Sequence, residues 1–143
     1  MGVANMCVYP DACILIYLVE DRAHWAQTIR QRLEPVHEPV PELVFSELTR
    51  LECRVQPLKT GNAPALQGFD KFFATRGYRY QAMDRKVFDL ATQLRAQHGL
   101  KTPDALHLAA AISAGCDEYW TNDQRLAKAA QNKLRIVTFE STP

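Results

Sequence analysis

The chain has 143 residues, 47% of them hydrophobic and 23% charged, with a net charge of +1. That length suffices for one buried core without staples, and the near-zero charge excludes a globally polycationic surface, so any nucleic-acid contact must rest on local basic clusters. The cysteines Cys7, Cys13, Cys53 and Cys116 stand in apolar contexts without a CxxC pair or zinc-finger spacing, as expected of free thiols in a reducing cytoplasm.

In chain order, Val3 to Tyr9 reads as a strand stopped by Pro10, and Ala12 to Val19 as a short buried helix. Met1 to Asn5 lacks the basic region of a signal peptide, and the apolar run from Ala12 breaks at Glu20-Asp21-Arg22, too early to span a bilayer. A soluble cytoplasmic protein with no membrane partner is therefore expected. Arg22 to Leu33 is amphipathic through Trp25, Ile29 and Leu33. Val40 to Val44 is a strand candidate weakened by Pro41, and Phe45 to Val55 repeats at helical spacing. After the TGNAP loop, Ala65 to Thr75 is expected to be helical with Leu66, Phe69, Phe72 and Phe73 inward. Tyr78 to Met83 reads as a strand, and Asp84 caps a helix that runs to Gln97 and ends at Gly99. Thr102-Pro103-Asp104 opens a helix to Ala114, with Thr102 as the cap. Glu118 to Trp120 is a strand, Gln124 to Gln131 a helix and Arg135 to Phe139 a last strand. This alternation predicts one α/β domain over residues 1–143, with a mostly parallel sheet covered on both faces. Ligands of such sheets bind at the carboxyl ends of the strands.

That edge draws attention to the acids. Asp11, Asp104 and Asp123 each have a helix-capping or helix-dipole explanation. Glu52 has none: it falls mid-helix, inside an apolar stripe of Val44, Phe45, Leu48, Leu51 and Val55, where a carboxylate is costly unless paired, protonated or bound to a cation. Were Asp11, Glu52, Asp104 and Asp123 to meet, their mutual repulsion would call for a cation, and an all-oxygen set suits Mg²⁺ or Mn²⁺. His107, in D-x-x-H with Asp104, reads as a buried histidine bonded to a neighbour rather than a ligand. Arg54 and Lys101 flank the segments that carry the acids and are candidate phosphate contacts.

The segments YPDACILIYL, SELTRLEC, TPDALHLAAA and WTNDQRL resemble, in order and spacing, the PIN-domain ribonucleases, especially the toxins of bacterial VapBC toxin–antitoxin pairs. The resemblance runs over nearly the whole chain. It implies a three-layer α/β/α sandwich and metal binding by Asp11, Glu52, Asp104 and Asp123, with Thr121 as a hydrogen-bonding helper. It also implies Mg²⁺- or Mn²⁺-dependent cleavage of RNA, inhibition by a cognate antitoxin, and a homodimer. Trp25, Phe69 and Phe72 are candidates for a groove that takes a partner helix. Family members often carry Thr or Ser where this chain has Ala12, and Asn or Ser where it has Cys13. Alternatives are a PIN nuclease of RNA processing without an antitoxin, a catalytically weak binding module, and a phosphorylatable receiver domain. The receiver lacks its adjacent acidic pair and late lysine here.

Overall fold

In the computed structural model, residues 6–20, 27–31, 41–75, 78–130 and 133–139 are described. The elements are β1 (Cys7–Pro10), α1 (Ala12–Val19), β2 (Glu42–Phe45), α2 (Glu47–Thr60), α3 (Ala63–Phe73), β3 (Arg79–Tyr80), α4 (Arg85–His98), α5 (Thr102–Ser113), β4 (Glu118–Thr121), α6 (Leu126–Ala130) and β5 (Arg135–Thr138). Residues 27–31 are also helical, with Ile29 buried. The expected helix ends at Arg22 and Leu33, with Trp25 near the first, and the strand starts at Val3 and Val40 lie outside the described residues.

Every strand pairing is parallel, in the order β3-β2-β1-β4-β5. Strand side chains alternate between faces, and the alternation divides the core. Cys7, Tyr9, Val44 and Tyr119 point into a cluster with α4, α5 and α6. Val8, Leu43, Phe45, Trp120 and Val137 point into a second cluster with α1, α2, α3 and Ile29. Helices thus cover both faces, the three-layer α/β/α arrangement expected. No helix among the described residues is long and apolar enough to cross a membrane.

Pro10 closes the central strand instead of ending it early. It pairs with Trp120 of β4, and the next N–H, from Asp11, donates to the Trp120 carbonyl at 2.9 Å. Backbone donors alternate sides, so the N–H that Pro10 lacks lies on the β2 side.

Several boundaries differ from expectation. β2 runs from Glu42 to Phe45 because Pro41 cannot donate to a ladder, while Phe45 is fully buried. Ser46 then caps α2 in a reciprocal box with Thr49, so the helix begins at Glu47 and continues through Pro57 to Gly61, which takes the left-handed C-cap conformation at φ 70°. Of the expected strand from Tyr78 to Met83 only Arg79–Tyr80 forms. Thr102 is not a cap: Lys101 holds that position without a side-chain bond, and Thr102 and Pro103 are the first helical residues. The helix expected from Gln124 is confined, among the described residues, to Leu126–Ala130.

The inward face of α2 also differs. Its buried residues are Thr49, Cys53 and Pro57, whereas Leu51, Val55 and Leu58 are 54%, 49% and 59% exposed. Of the three groove candidates, Trp25 lies outside the described residues and Phe72 is half-buried. Phe69 is fully buried, and Phe72 packs edge-on against Phe45 and Phe73 and beside Tyr78.

Candidate functional site

Asp11 leaves the central strand at its carboxyl end and caps α1. Its Oδ1 accepts from the backbone N–H of Cys13 at 3.0 Å and of Ile14 at 3.3 Å, and from the Cys13 thiol at 2.7 Å. Its Oδ2 accepts from the Thr121 hydroxyl at 2.5 Å. The Thr121 oxygen in turn accepts the Asp123 N–H at 3.1 Å, so one hydroxyl ties the acid after β1 to the backbone of the acid after β4. Burial and the neighbouring Asp11 charge push the Cys13 thiol well above its ordinary range, which keeps it a protonated donor.

Asp123 opens no helix. Its Oδ1 accepts the Arg125 N–H at 3.0 Å, and the Arg125 guanidinium spans both oxygens at 2.9 and 2.7 Å. Those hydrogen bonds lower the Asp123 pKa, with the charges of Arg125 and Lys101 adding to the effect. Asp104, in the first turn of α5, moves the other way. Burial raises its pKa, and the charges of Asp123 and, more weakly, Glu52 add to the rise against partial relief from His107 and Arg125. The carboxylates therefore feel one another across the cleft.

Glu52 is half-buried, and its Oε1 lies 2.5 Å from His107 Nε2. It turns inward because its helical neighbours Thr49 and Cys53 form the buried row; of the apolar stripe read from the sequence, Leu51 and Val55 face outward, while Val44 and Phe45 are buried in β2. The nearby Cys53 thiol is pushed up to about 12 by burial and by the charges of Glu52 and Asp11. Arg54 is tied to Asp70 of α3 at 2.8 Å. Lys101 stands free of a cap bond at the start of α5, within electrostatic reach of Asp123.

Among the described residues no three His, Cys, Asp or Glu side chains converge closely enough to hold a metal as they stand. One obstacle is visible: the Arg125 guanidinium occupies both oxygens of Asp123. The donor chemistry nonetheless fits a hard divalent cation. All four candidates are carboxylates, the oxygen donors such a cation prefers, and Asp104 has its pKa raised by burial and by the Asp123 charge. Arg125 is 79% exposed and can swing away.

Sequence reasoning missed the residues that hold these acids. Tyr9 reads as strand and Ser46 and Thr49 as helix, yet they meet at the back of His107. Arg125 had a signal in its two-residue spacing from Asp123. Cys13, noted as a family departure, carries a direct bond to Asp11.

The PIN domain family profile matches residues 8–132. Among curated proteins no sequence relative matches. Solved structures with similar folds include VapBC2 from Rickettsia felis bound to a promoter DNA fragment, at 14% identity and TM-score 0.71, covering 94% of this chain and 100% of that one. Another is VapC20 from Mycobacterium tuberculosis, a toxin described as cleaving the sarcin–ricin loop, at 13% identity and TM-score 0.70, covering 90% and 98%. A toxin–antitoxin complex from Klebsiella pneumoniae is 24% identical with TM-score 0.63, covering 84% and 90%. With a parallel sheet in the order β3-β2-β1-β4-β5, acids at its carboxyl edge and a profile match over most of its length, the chain belongs to the PIN domain family.

Proposed function

We propose that the chain is a divalent-metal-dependent endoribonuclease, the toxin of a type II toxin–antitoxin pair acting in the cytoplasm. The observation that carries this reading is geometric: in a chain that matches the PIN profile, Asp11 after β1 is tied through the Thr121 hydroxyl to the backbone of Asp123 after β4. Asp11, Glu52, Asp104 and Asp123 would hold Mg²⁺ or Mn²⁺. When bound, the cation supplies Lewis-acid stabilisation of charge on the phosphate and eases deprotonation of an attacking water. Thr121 orients Asp11 through Oδ2, and a carboxylate of the set can take the proton from that water. Attack by water rather than by the ribose 2′-hydroxyl leaves a 5′-phosphate on one product. Lys101 is the better-placed phosphate contact; Arg54 would first have to release Asp70.

The toxin–antitoxin likeness of the solved folds supports a cognate antitoxin as inhibitor, and the exposed Leu51, Val55 and Leu58 on α2 support assembly through that face, as a homodimer in the same reading. The test is RNA cleavage by purified, partner-free protein with Mg²⁺ or Mn²⁺, with EDTA as control, alongside growth on induction. Asp11→Asn and Asp104→Asn are expected to lower cleavage by at least about a hundredfold, as loss of a metal-activating ligand would, and to abolish growth arrest. If both activities survive in both variants, the site assignment is wrong. Cleavage without growth arrest would instead favour an RNA-processing PIN nuclease, and no cleavage with any divalent metal a binding module.

A further inference from the structure

Glu52 is the one acid of the proposed set on a helix interior, and its side chain is 30% exposed, so nothing in its burial alone keeps it in the cleft. What holds it is His107. That ring is buried, lies one helical turn after Asp104 on α5, and presents Nε2 to Glu52 Oε1. Its other nitrogen, Nδ1, is 2.8 Å from the Tyr9 hydroxyl. The same hydroxyl is 2.8 Å from Ser46 Oγ and 3.1 Å from Thr49 Oγ1. Tyr9 itself is fully buried in the central strand, stacked on Tyr119 at 5.5 Å and edge-on to the His107 ring at 5.7 Å.

The donors and acceptors fit one direction throughout. A carboxylate only accepts, so His107 Nε2 carries the hydrogen toward Glu52. In the neutral ring Nδ1 is then the acceptor, and the Tyr9 O–H donates to it. The phenolic oxygen is left to accept from the Ser46 and Thr49 hydroxyls, so both ring nitrogens and the phenol have partners. The path begins at the N-terminus of α2, crosses β1 and α5, and returns to α2 at Glu52, three residues beyond Thr49. Such a buried network is expensive unless complete, and rigid when it is.

We propose that Tyr9 and His107 are positioning residues that hold the Glu52 carboxylate at the cation site, fixing Oε1 and leaving Oε2 for the cation. This rests on the metal-site reading above. Arg125 differs in kind, because it spans both oxygens of Asp123 and must be displaced. His107 takes one oxygen and need not move.

Two measurements separate the relay from the site. In metal-free protein, ¹⁵N NMR of the His107 ring reports which nitrogen bears the hydrogen. The expected spectrum has a protonated Nε2 and a bare Nδ1, with the Nε2–H signal displaced by Glu52→Gln and the Nδ1 signal by Tyr9→Phe. Calorimetric Mn²⁺ titration then tests the cation role. Loss of a residue that orients a ligand costs about 10–100-fold in metal affinity, so His107→Leu should weaken Mn²⁺ binding by that factor. His107→Gln, whose amide nitrogen can reach the Nε2 position, should restore most of it, and Tyr9→Phe should fall between. His107→Leu that is folded by circular dichroism and binds Mn²⁺ like wild type overturns the proposal; should that variant not fold, an unchanged Mn²⁺ affinity in Tyr9→Phe overturns it. Asp104→Asn is the control for the site. If wild type and Asp104→Asn bind Mn²⁺ alike, or neither binds, the metal-site reading falls and takes the cation role with it, while the metal-free spectra still decide whether the relay exists.

Discussion

Asp104 and Asp123 face each other with opposite perturbations, and the difference has consequences for stability. Asp104 has its pKa raised by burial and by the Asp123 charge, so the folded state prefers it protonated. Its contribution is most favourable below the unfolded-state pKa and is lost as pH rises through the folded value. Asp104→Asn is therefore expected to raise Tm slightly at neutral pH, the gain vanishing as pH falls through the carboxylate range, while cleavage is lost. Asp123 is the reverse. Its pKa is lowered by Arg125, so its stabilisation is present above the unfolded value and fades on acidification; Asp123→Asn should lower Tm at neutral pH and match wild type in acid. Thermal melts at several pH values check both signs. Saturating Mn²⁺ should stabilise wild type by about 2.7 kcal/mol at a hundredfold excess over Kd and leave Asp104→Asn nearly unchanged. Arg125 competes with the cation for Asp123 through an exposed ion pair, which solvent screens and leaves weak. Arg125→Ala should accordingly tighten Mn²⁺ binding up to about fivefold by calorimetry, and weaker binding would show that Arg125 supports the site.

At the scale of elements, α2 shows how a correct inward residue can follow from a wrong stripe. Leu48, Leu51 and Val55 suggest an apolar face with Glu52 in it, but the buried row is Thr49, Cys53 and Pro57. Hydrophobicity alone misleads because Ser46 and Thr49 are buried as hydrogen-bonding partners of Tyr9, and their polarity is satisfied there. Glu52 faces inward as the neighbour of that row. Ser46 serves twice, as helix cap and as partner of the Tyr9 hydroxyl. Ser46→Ala should thus cost about 1–2 kcal/mol, the upper range for a lost cap, read by denaturant unfolding. By contrast, the capping roles of Asp11 and Asp84 and the stop at Gly99 follow local sequence rules and form as expected.

Across the molecule, the outward face of α2 carries Leu51, Val55 and Leu58 at about half exposure or more, spaced to lie along one side of the helix. Exposed apolar rows of this kind mark contact surfaces. Leu51→Glu combined with Val55→Glu should leave stability within about 0.5 kcal/mol per site, as for exposed positions. It should also shift the protein toward monomer in light scattering and weaken antitoxin capture. Unchanged mass and unchanged capture would remove this face from the assembly.

The α/β alternation, the parallel sheet and the positions of Asp11 and Asp123 after strands were legible in the residues, because strand and helix periodicities, caps and turn residues are local. The partners of the four acids were set by packing. The Cys13 and Thr121 bonds to Asp11, the Arg125 clamp on Asp123 and the path from Ser46 through Tyr9 and His107 to Glu52 depend on side-chain direction and on which strands lie side by side. In the longest of these contacts the partners are separated by more than a hundred residues of chain. No local pattern encodes such a distance; packing β1 between β2 and β4 creates it.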